Sequence, residues 1–234
     1  AVNQYMLKLC LPRGISIGPN ELREATAKVL NGQENCHRFF HYDENGKPLN
    51  EKPAYRFVGG KGFVGFVSER SEEDIKDLMY PVLQAIQTPK LFSMLNGLMP
   101  KVQILQFEKK AFVTQEPNVY LVSRCIDKKE HRKALGEEGR LTVLFKSMLA
   151  QAVKEGVLTA LPDDQDLQLQ FASVRDLGLE TQFQNQNKKW MHMMHAQFIA
   201  NIDLQGIWQM GGMTSRGHGL IFKQNKKGVF QSCL

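Results

Sequence analysis

The chain has 234 residues, 42% of them hydrophobic, with a formal net charge of +6 and a pI near 9.1, enough apolar material for one moderate domain or two small ones. No apolar run approaches the ~20 residues that a bilayer span requires, and Ala1–Leu11 carries one lysine and no small-residue cleavage site, so no signal peptide is expected. Cys10, Cys36, Cys125 and Cys233 are far apart and form no CxxC pair, which excludes a zinc ribbon or a dense disulfide framework and fits a reducing cytoplasm.

A strand is expected first, Val2 to Leu11, where Tyr5, Leu7 and Leu9 alternate with period two. Gly18-Pro19-Asn20 then opens a helix expected to reach Leu30, with Leu22, Ala25, Val29 and Leu30 at helical spacing and Asn31-Gly32 as C-cap. Arg38-Phe39-Phe40-His41-Tyr42 reads as an aromatic, strand-like run before a turn at Glu44-Asn45-Gly46-Lys47. Tyr55–Val58 and Phe63–Val67 flank Gly59-Gly60-Lys61-Gly62 as a hairpin. Ser71-Glu72-Glu73-Asp74 caps a helix toward Ile86, and Lys101–Phe107 closes the half as a strand. Strand, helix, hairpin, helix, strand is the βαββαβ order of a ferredoxin-like domain, here placed at residues 1–110. Such sheets often serve as RNA platforms, although no RNP-type aromatic signature is present.

Residues 111–234 are expected to repeat this plan in modified form. Glu108–Asn118 reads as a linker and Asn118–Cys125 as a strand. A helical stretch follows at about 128–157, with Leu135, Leu141, Leu144, Phe145, Met148 and Leu149 as its apolar face and a break at Gly136 and Gly139. Leu167–Val174, a segment around Phe183, and Trp190–Ile202 read as strands, and Leu220–Lys223 as a last short one. The expectation is an α+β chain of tandem ferredoxin-like domains with a helical insertion in the second. Charge is uneven along it. From Thr181 onward Lys188, Lys189, Arg216, Lys223, Lys226 and Lys227 face the single acid Asp203, so a polyanionic partner is expected.

The most distinctive stretch is Gly206–Gly219. Gly206, Gly211, Gly212, Gly217 and Gly219 permit positive φ and a close approach of a phosphate chain to backbone amides, with Ser215, Arg216 and His218 among them. It is neither a P-loop, lacking GxxxxGK(S/T), nor a dinucleotide fingerprint, since no βαβ unit follows. The plainer role is a tight turn packing the last strand.

Ile207-Trp208 in an expected helix, the glycines, then Ser215-Arg216-Gly217-His218-Gly219 before an apolar strand resemble the C-terminal signature of the CRISPR repeat endoribonucleases of the RAMP superfamily. The likeness is greatest to their type IV branch and strongest over Phe171–Phe222, and the basic helical stretch resembles that branch's helical finger, which grips the repeat hairpin. The resemblance implies tandem ferredoxin-like (RAMP, RRM-like) domains and metal-independent cleavage of the repeat stem-loop of precursor CRISPR RNA. It also implies retention of the mature crRNA 3′ hairpin among other subunits of a cytoplasmic type IV ribonucleoprotein, with no cofactor and no membrane.

Metal-free cleavage by 2′-OH attack needs in-line alignment, a proton acceptor, a donor for the leaving 5′ oxygen, and positive charge on the phosphorane. Histidine suits the proton transfers because its pKa lies near working pH. His37 and His41 lie just beyond the first expected helix, where the resemblance places a catalytic histidine, and on a strand they share a face. His41 and Arg38 are the expected catalytic pair, with His37, Tyr42 and Arg23 beside them; Arg13, Arg23, Arg38 and Arg216 offer an arginine-based alternative. His192 and His195, three apart on a strand, fall on opposite faces, so at least one is expected to be structural. The expected RNA contacts are Arg13, Lys129, Arg132, Lys133, Arg140, Lys188, Lys189, Ser215, Arg216 and His218, with Lys129, Arg132 and Lys133 on one helix face. No metal site is expected, as His37 and His41 lack a third ligand nearby. A catalytically inactive RNA-binding subunit of the same superfamily, or a structural protein with a basic surface, would share much of this pattern.

Overall fold

The computed structural model describes residues 2–33, 39, 44–47, 53–184, 187–224 and 230–232. Two compact units divide the chain: the first spans Asn3–Phe107 and takes in Ser215–Gly217, and the second spans Glu108–Thr214 and the residues from His218 onward.

The first unit contains β1 (Val2–Cys10), α1 (Pro19–Leu30), β2 (Tyr55–Gly60), β3 (Phe63–Ser68), α2 (Glu73–Ala85), a short α3 (Pro89–Met94) and the start of β4 (Lys101–Asp127). Its strands lie in the ferredoxin-like order β2-β3-β1-β4. β3 is antiparallel to both neighbours, with Phe66 opposite Leu7 on one side and Phe57 on the other. α1 begins where the sequence indicates. Pro19 is preset for the first turn, and Glu21 Oε1 accepts the Gly18 amide at 3.2 Å. The core joins Leu7, Leu9, Phe57 and Phe66 of the sheet to Leu22 of α1 and Leu78 of α2. Close strand approach requires a glycine at Gly65, where a Cβ would lie 1.9 Å from the Leu7 carbonyl oxygen. Asp74, in the first turn of α2, accepts hydrogen bonds from the Tyr55 and Ser68 hydroxyls and from Arg70, and burial followed by the Asp74 charge pushes the Tyr55 phenol up.

β4 departs from expectation. Glu108–Asn118 is not a linker but the middle of a single strand of 27 residues. Lys110–Val113 pair with Gln205–Ile202 and Asn118–Val122 with Ala200–Ala196, the register shifting at a bulge between them. Its polar residues reflect a strand with one open face: Lys109 and Ala111 are buried, Lys110 and Phe112 exposed.

In the second unit β4 is followed by α4 (Gly136–Lys154), β5 (Leu169–Gln184), β6 (Asn187–Gln205), β7 (Leu220–Gln224) and β8 (Phe230–Ser232). The order β7-β4-β6-β5 repeats the arrangement of the first unit. β5 and β6 form one long ribbon, from Leu169 opposite Ala200 to Gln184 opposite Asn187, in place of the three strands expected there. α4 lays Leu141, Phe145 and Leu149 on Tyr120 and Phe198. It is therefore the covering layer of this sheet, and the segment inserted ahead of it is the 3-10 turn pair Glu130–Leu135, broken from α4 at Gly136 with φ 69°.

A ferredoxin-like unit carries a second helix before its last strand; here Gly206–Gly219 stands in that place, with only a 3-10 turn at Thr214–Arg216. The helix expected around Ile207-Trp208 is absent. Trp208 is instead fully buried, its indole N–H donating to the Gln205 carbonyl at 2.8 Å and its own carbonyl accepting the Ile221 amide at 3.0 Å. Cross-chain pairing thus uses the backbone groups that a helix would have paired internally. Cys125 is buried and its thiol is pushed up by burial, with Asp127 adding to the effect, so it behaves as an inert core group. Among the described residues no helix is long and apolar enough to cross a membrane.

Candidate nucleic-acid interface

The glycine-rich segment serves two places. In the first unit Gly217, at φ 93°, packs so tightly that a Cβ would lie 2.3 Å from Pro19 Cγ and 3.0 Å from the Phe57 carbonyl oxygen. That seats Ser215 and Arg216, both half-buried, at the start of α1, the helix that carries the half-buried Arg23. Arg13 is exposed in the turn between β1 and α1.

In the second unit the other glycines lie along β4. Gly212 donates its amide to the Ile126 carbonyl at 2.8 Å, and Gly219 to the Ser123 carbonyl at 2.9 Å. A Cβ at Gly211 would lie 2.6 Å from the Ile126 oxygen. Gln209 donates to the carbonyls of Thr214 and His218 at 2.9 and 3.1 Å, closing the loop on itself. His218, expected to reach RNA, is only 5% exposed, and its Nδ1 lies 3.1 Å from the Arg124 carbonyl oxygen. A carbonyl can only accept, so Nδ1 carries the proton and the ring holds the β4 backbone.

Arg140 is a second correction. It is 4% exposed, with Nε 3.6 Å from Asp127, and is interior rather than part of an RNA surface. Arg132 is held at 2.9 Å by the same carboxylate, while Lys133 in the 3-10 segment and Lys129 just before it are exposed. Lys188 and Lys189 lie on β6 opposite Phe183 and Gln182. His37, Arg38, His41 and Tyr42 lie outside the described residues.

Sequence reasoning passed over Arg124 and Arg175, both exposed on the second sheet. No local signal marks them, because their positions depend on bulges set by pairing with β6. His195 pairs with Arg175. Burial, with the Arg175 charge adding to it, holds this imidazole below its ordinary range. A ring-proton NMR titration is expected to give His195 a midpoint below that of a free imidazole; one at or above it would contradict the packing. The sign for stability follows. As pH falls through about 6.5, the unfolded chain takes up a proton that folded His195 resists, and stability declines. Among the described residues Glu137, Asp176 and His192 place one ligand atom each within 4.8 Å of one another and are able to hold a divalent ion. His192 Nε2 lies 3.5 Å from Asp176 Oδ1.

A family model described as type IV CRISPR-associated endonuclease Csf5 matches residues 2–226. No curated protein matches the chain. Among solved structures, Csf5, a CRISPR-Cas type IV Cas6 crRNA endonuclease, aligns with a TM-score of 0.78 at 23% identity, covering 95% of this chain and 100% of that one. A structure of Cas6b aligns at 0.59 and 12% identity, and one of the CRISPR RNA processing endoribonuclease Cas6b at 0.51 and 12%, each covering 95% of this chain and 100% of the other. At these identities the likeness is one of fold.

Proposed function

The chain belongs to the type IV CRISPR-associated endonuclease family, and on that premise we propose that it binds the repeat stem-loop of precursor CRISPR RNA and cuts it by 2′-OH attack without a metal. In the same reading the mature crRNA 3′ hairpin stays bound, within a complex of other type IV subunits. The observation in the chain itself that supports this is the seat of Ser215–Gly217 at the start of α1, which brings Arg216 to the helix bearing Arg23. Guanidinium groups suit the step because they stay charged at every working pH and match phosphate oxygens in pairs.

The reaction requires a bond from the 2′ oxygen to phosphorus as the bond from phosphorus to the 5′ oxygen breaks. The 2′ proton passes to a base, assigned to His41, and the leaving 5′ oxygen takes one up. Arg38 and Arg23 stabilise the charge on the phosphorane, with His37 and Tyr42 positioning the strand. Lys129 and Lys133 contact stem phosphates, which fixes register without reading bases.

Purified protein incubated with end-labelled repeat hairpin in excess EDTA is expected to give one cut at the 3′ base of the stem, the upstream product ending in a 2′,3′-cyclic phosphate. Cleavage that EDTA abolishes would overturn the metal-free step. Tight, salt-sensitive binding with no cut under any condition would replace the proposal with that of an inactive RNA-holding subunit.

A further inference from the structure

In the second unit β6 lies between two bulged strands. On β4 the register passes from Val122 opposite Ala196 to Cys125 opposite Met194, so Ser123 and Arg124 share one partner, His195. On β5 it passes from Ala172 opposite Gln197 to Arg175 opposite His195. Arg124, His195 and Arg175 therefore form a line across three strands. Met194 and Ala196 are buried in the core, so alternation turns His195 to the opposite face of the sheet, and its cross-strand partner Arg175 shares that face.

Arg124 is held in a conformation that long side chains rarely adopt, with φ 51°. Its backbone is pinned on three sides: Gly219 donates to the Ser123 carbonyl, Gly212 to the Ile126 carbonyl, and His218 Nδ1 to the Arg124 carbonyl itself. The Gly212 and Gly219 amides are thus engaged with β4 rather than open to a phosphate, and what they hold in place is an arginine. Its side chain is exposed, and neither it nor Arg175 has an ion-pair partner among the described residues. The acid beside Arg175 in sequence, Asp176, is turned to the Gly178 amide at 2.7 Å and to His192, and the acid nearest Arg124, Asp127, is taken by Arg132 and Arg140. Two guanidinium forks on the strands flanking His195, unpaired among the described residues, suit the oxygens of a phosphodiester chain. The neutral His195 ring adds a hydrogen bond rather than a third charge.

Building on the RNA-binding reading, we infer that Arg124, His195 and Arg175 form a phosphate-binding row for the backbone of the bound RNA, distinct from the arginines at α1. The glycine segment and His218 position Arg124 in that row.

The test measures the Kd for repeat hairpin RNA of Arg124→Gly, Arg124→Ala and Arg175→Ala at several salt concentrations, beside thermal melting. Each variant is expected to bind about tenfold more weakly, with the magnitude of the salt slope reduced by about one. Arg124→Gly relieves the left-handed strain and is expected to melt no lower than the unsubstituted protein, which separates lost contact from lost fold. Arg124→Gly and Arg175→Ala both keeping the original Kd and slope would overturn the row while leaving the functional reading intact. No hairpin binding by the unsubstituted protein would overturn both.

Discussion

Asp127→Ala is expected to destabilise the second unit by about 3–5 kcal/mol, seen as a fall of roughly 10 °C in its melting midpoint. Asp127 ends β4 with a side chain of zero exposure, and one oxygen accepts both the Arg132 guanidinium at 2.9 Å and the Lys129 amide at 3.0 Å. The other oxygen makes no hydrogen bond and lies 3.6 Å from Arg140 Nε. Without the carboxylate Arg140 is left charged in the interior, and the cost of that uncompensated charge outweighs the loss of the pair's attraction. A double-mutant cycle with Arg140→Ala should show coupling above about 1 kcal/mol. The exposed pair of Lys146 and Asp164 provides a contrast, and Asp164→Ala should leave the midpoint where it is. A midpoint unmoved by Asp127→Ala would mean that the two arginines find other partners and that the carboxylate is not what holds them.

Gly219→Ala should be nearly as damaging, by about 3–4 kcal/mol, because it combines backbone strain with a collision. At φ 77° an added Cβ would lie 1.8 Å from the Met210 carbonyl oxygen. The two residues are tied there, with the Met210 amide donating to the Gly219 carbonyl at 3.0 Å. Gly156 has the same φ, 77°, but nothing within 4 Å of its would-be Cβ. Gly156→Ala therefore isolates the strain alone and is expected to cost about 1 kcal/mol. Equal melting points for the two variants would show that the segment yields around residue 219 and that the close approach is not required.

The parts of the fold legible in the sequence are those governed by neighbours along the chain. Pro19 and Glu21 open α1, Gly62 turns the β2–β3 hairpin, and the alternation around Leu7 places β1. The middle of β4 was not legible, because a strand with one open face has the polar composition of a linker. The glycine segment was recognisable from its residue types, but its conformation was not. Whether Trp208 sits in a helix or is pinned by Ile221 depends on which strand lies alongside. Arg140 has the spacing of a surface cation on a helix, and only the tertiary position of Asp127 turns it inward. Arg124 carries no mark in sequence, since its bulge is created by β6, some seventy residues further on.

The place of β7 bears on the order in which the protein acquires function during synthesis. β7 adds to β4 through Tyr120 opposite Lys223 and Ser123 opposite Leu220, a closure between segments about a hundred residues apart. Contacts so distant in sequence form late, because the entropy of closing the intervening chain must first be met. The hydrogen bonds from Gly219 and His218 that hold Arg124 depend on the same closure. A nascent chain that has not yet reached residue 223 can form β4, α4, β5 and β6, yet its arginine row lacks the clasp that shapes it. The backbone around Arg124 is thus completed only after translation has passed the glycine segment and β7.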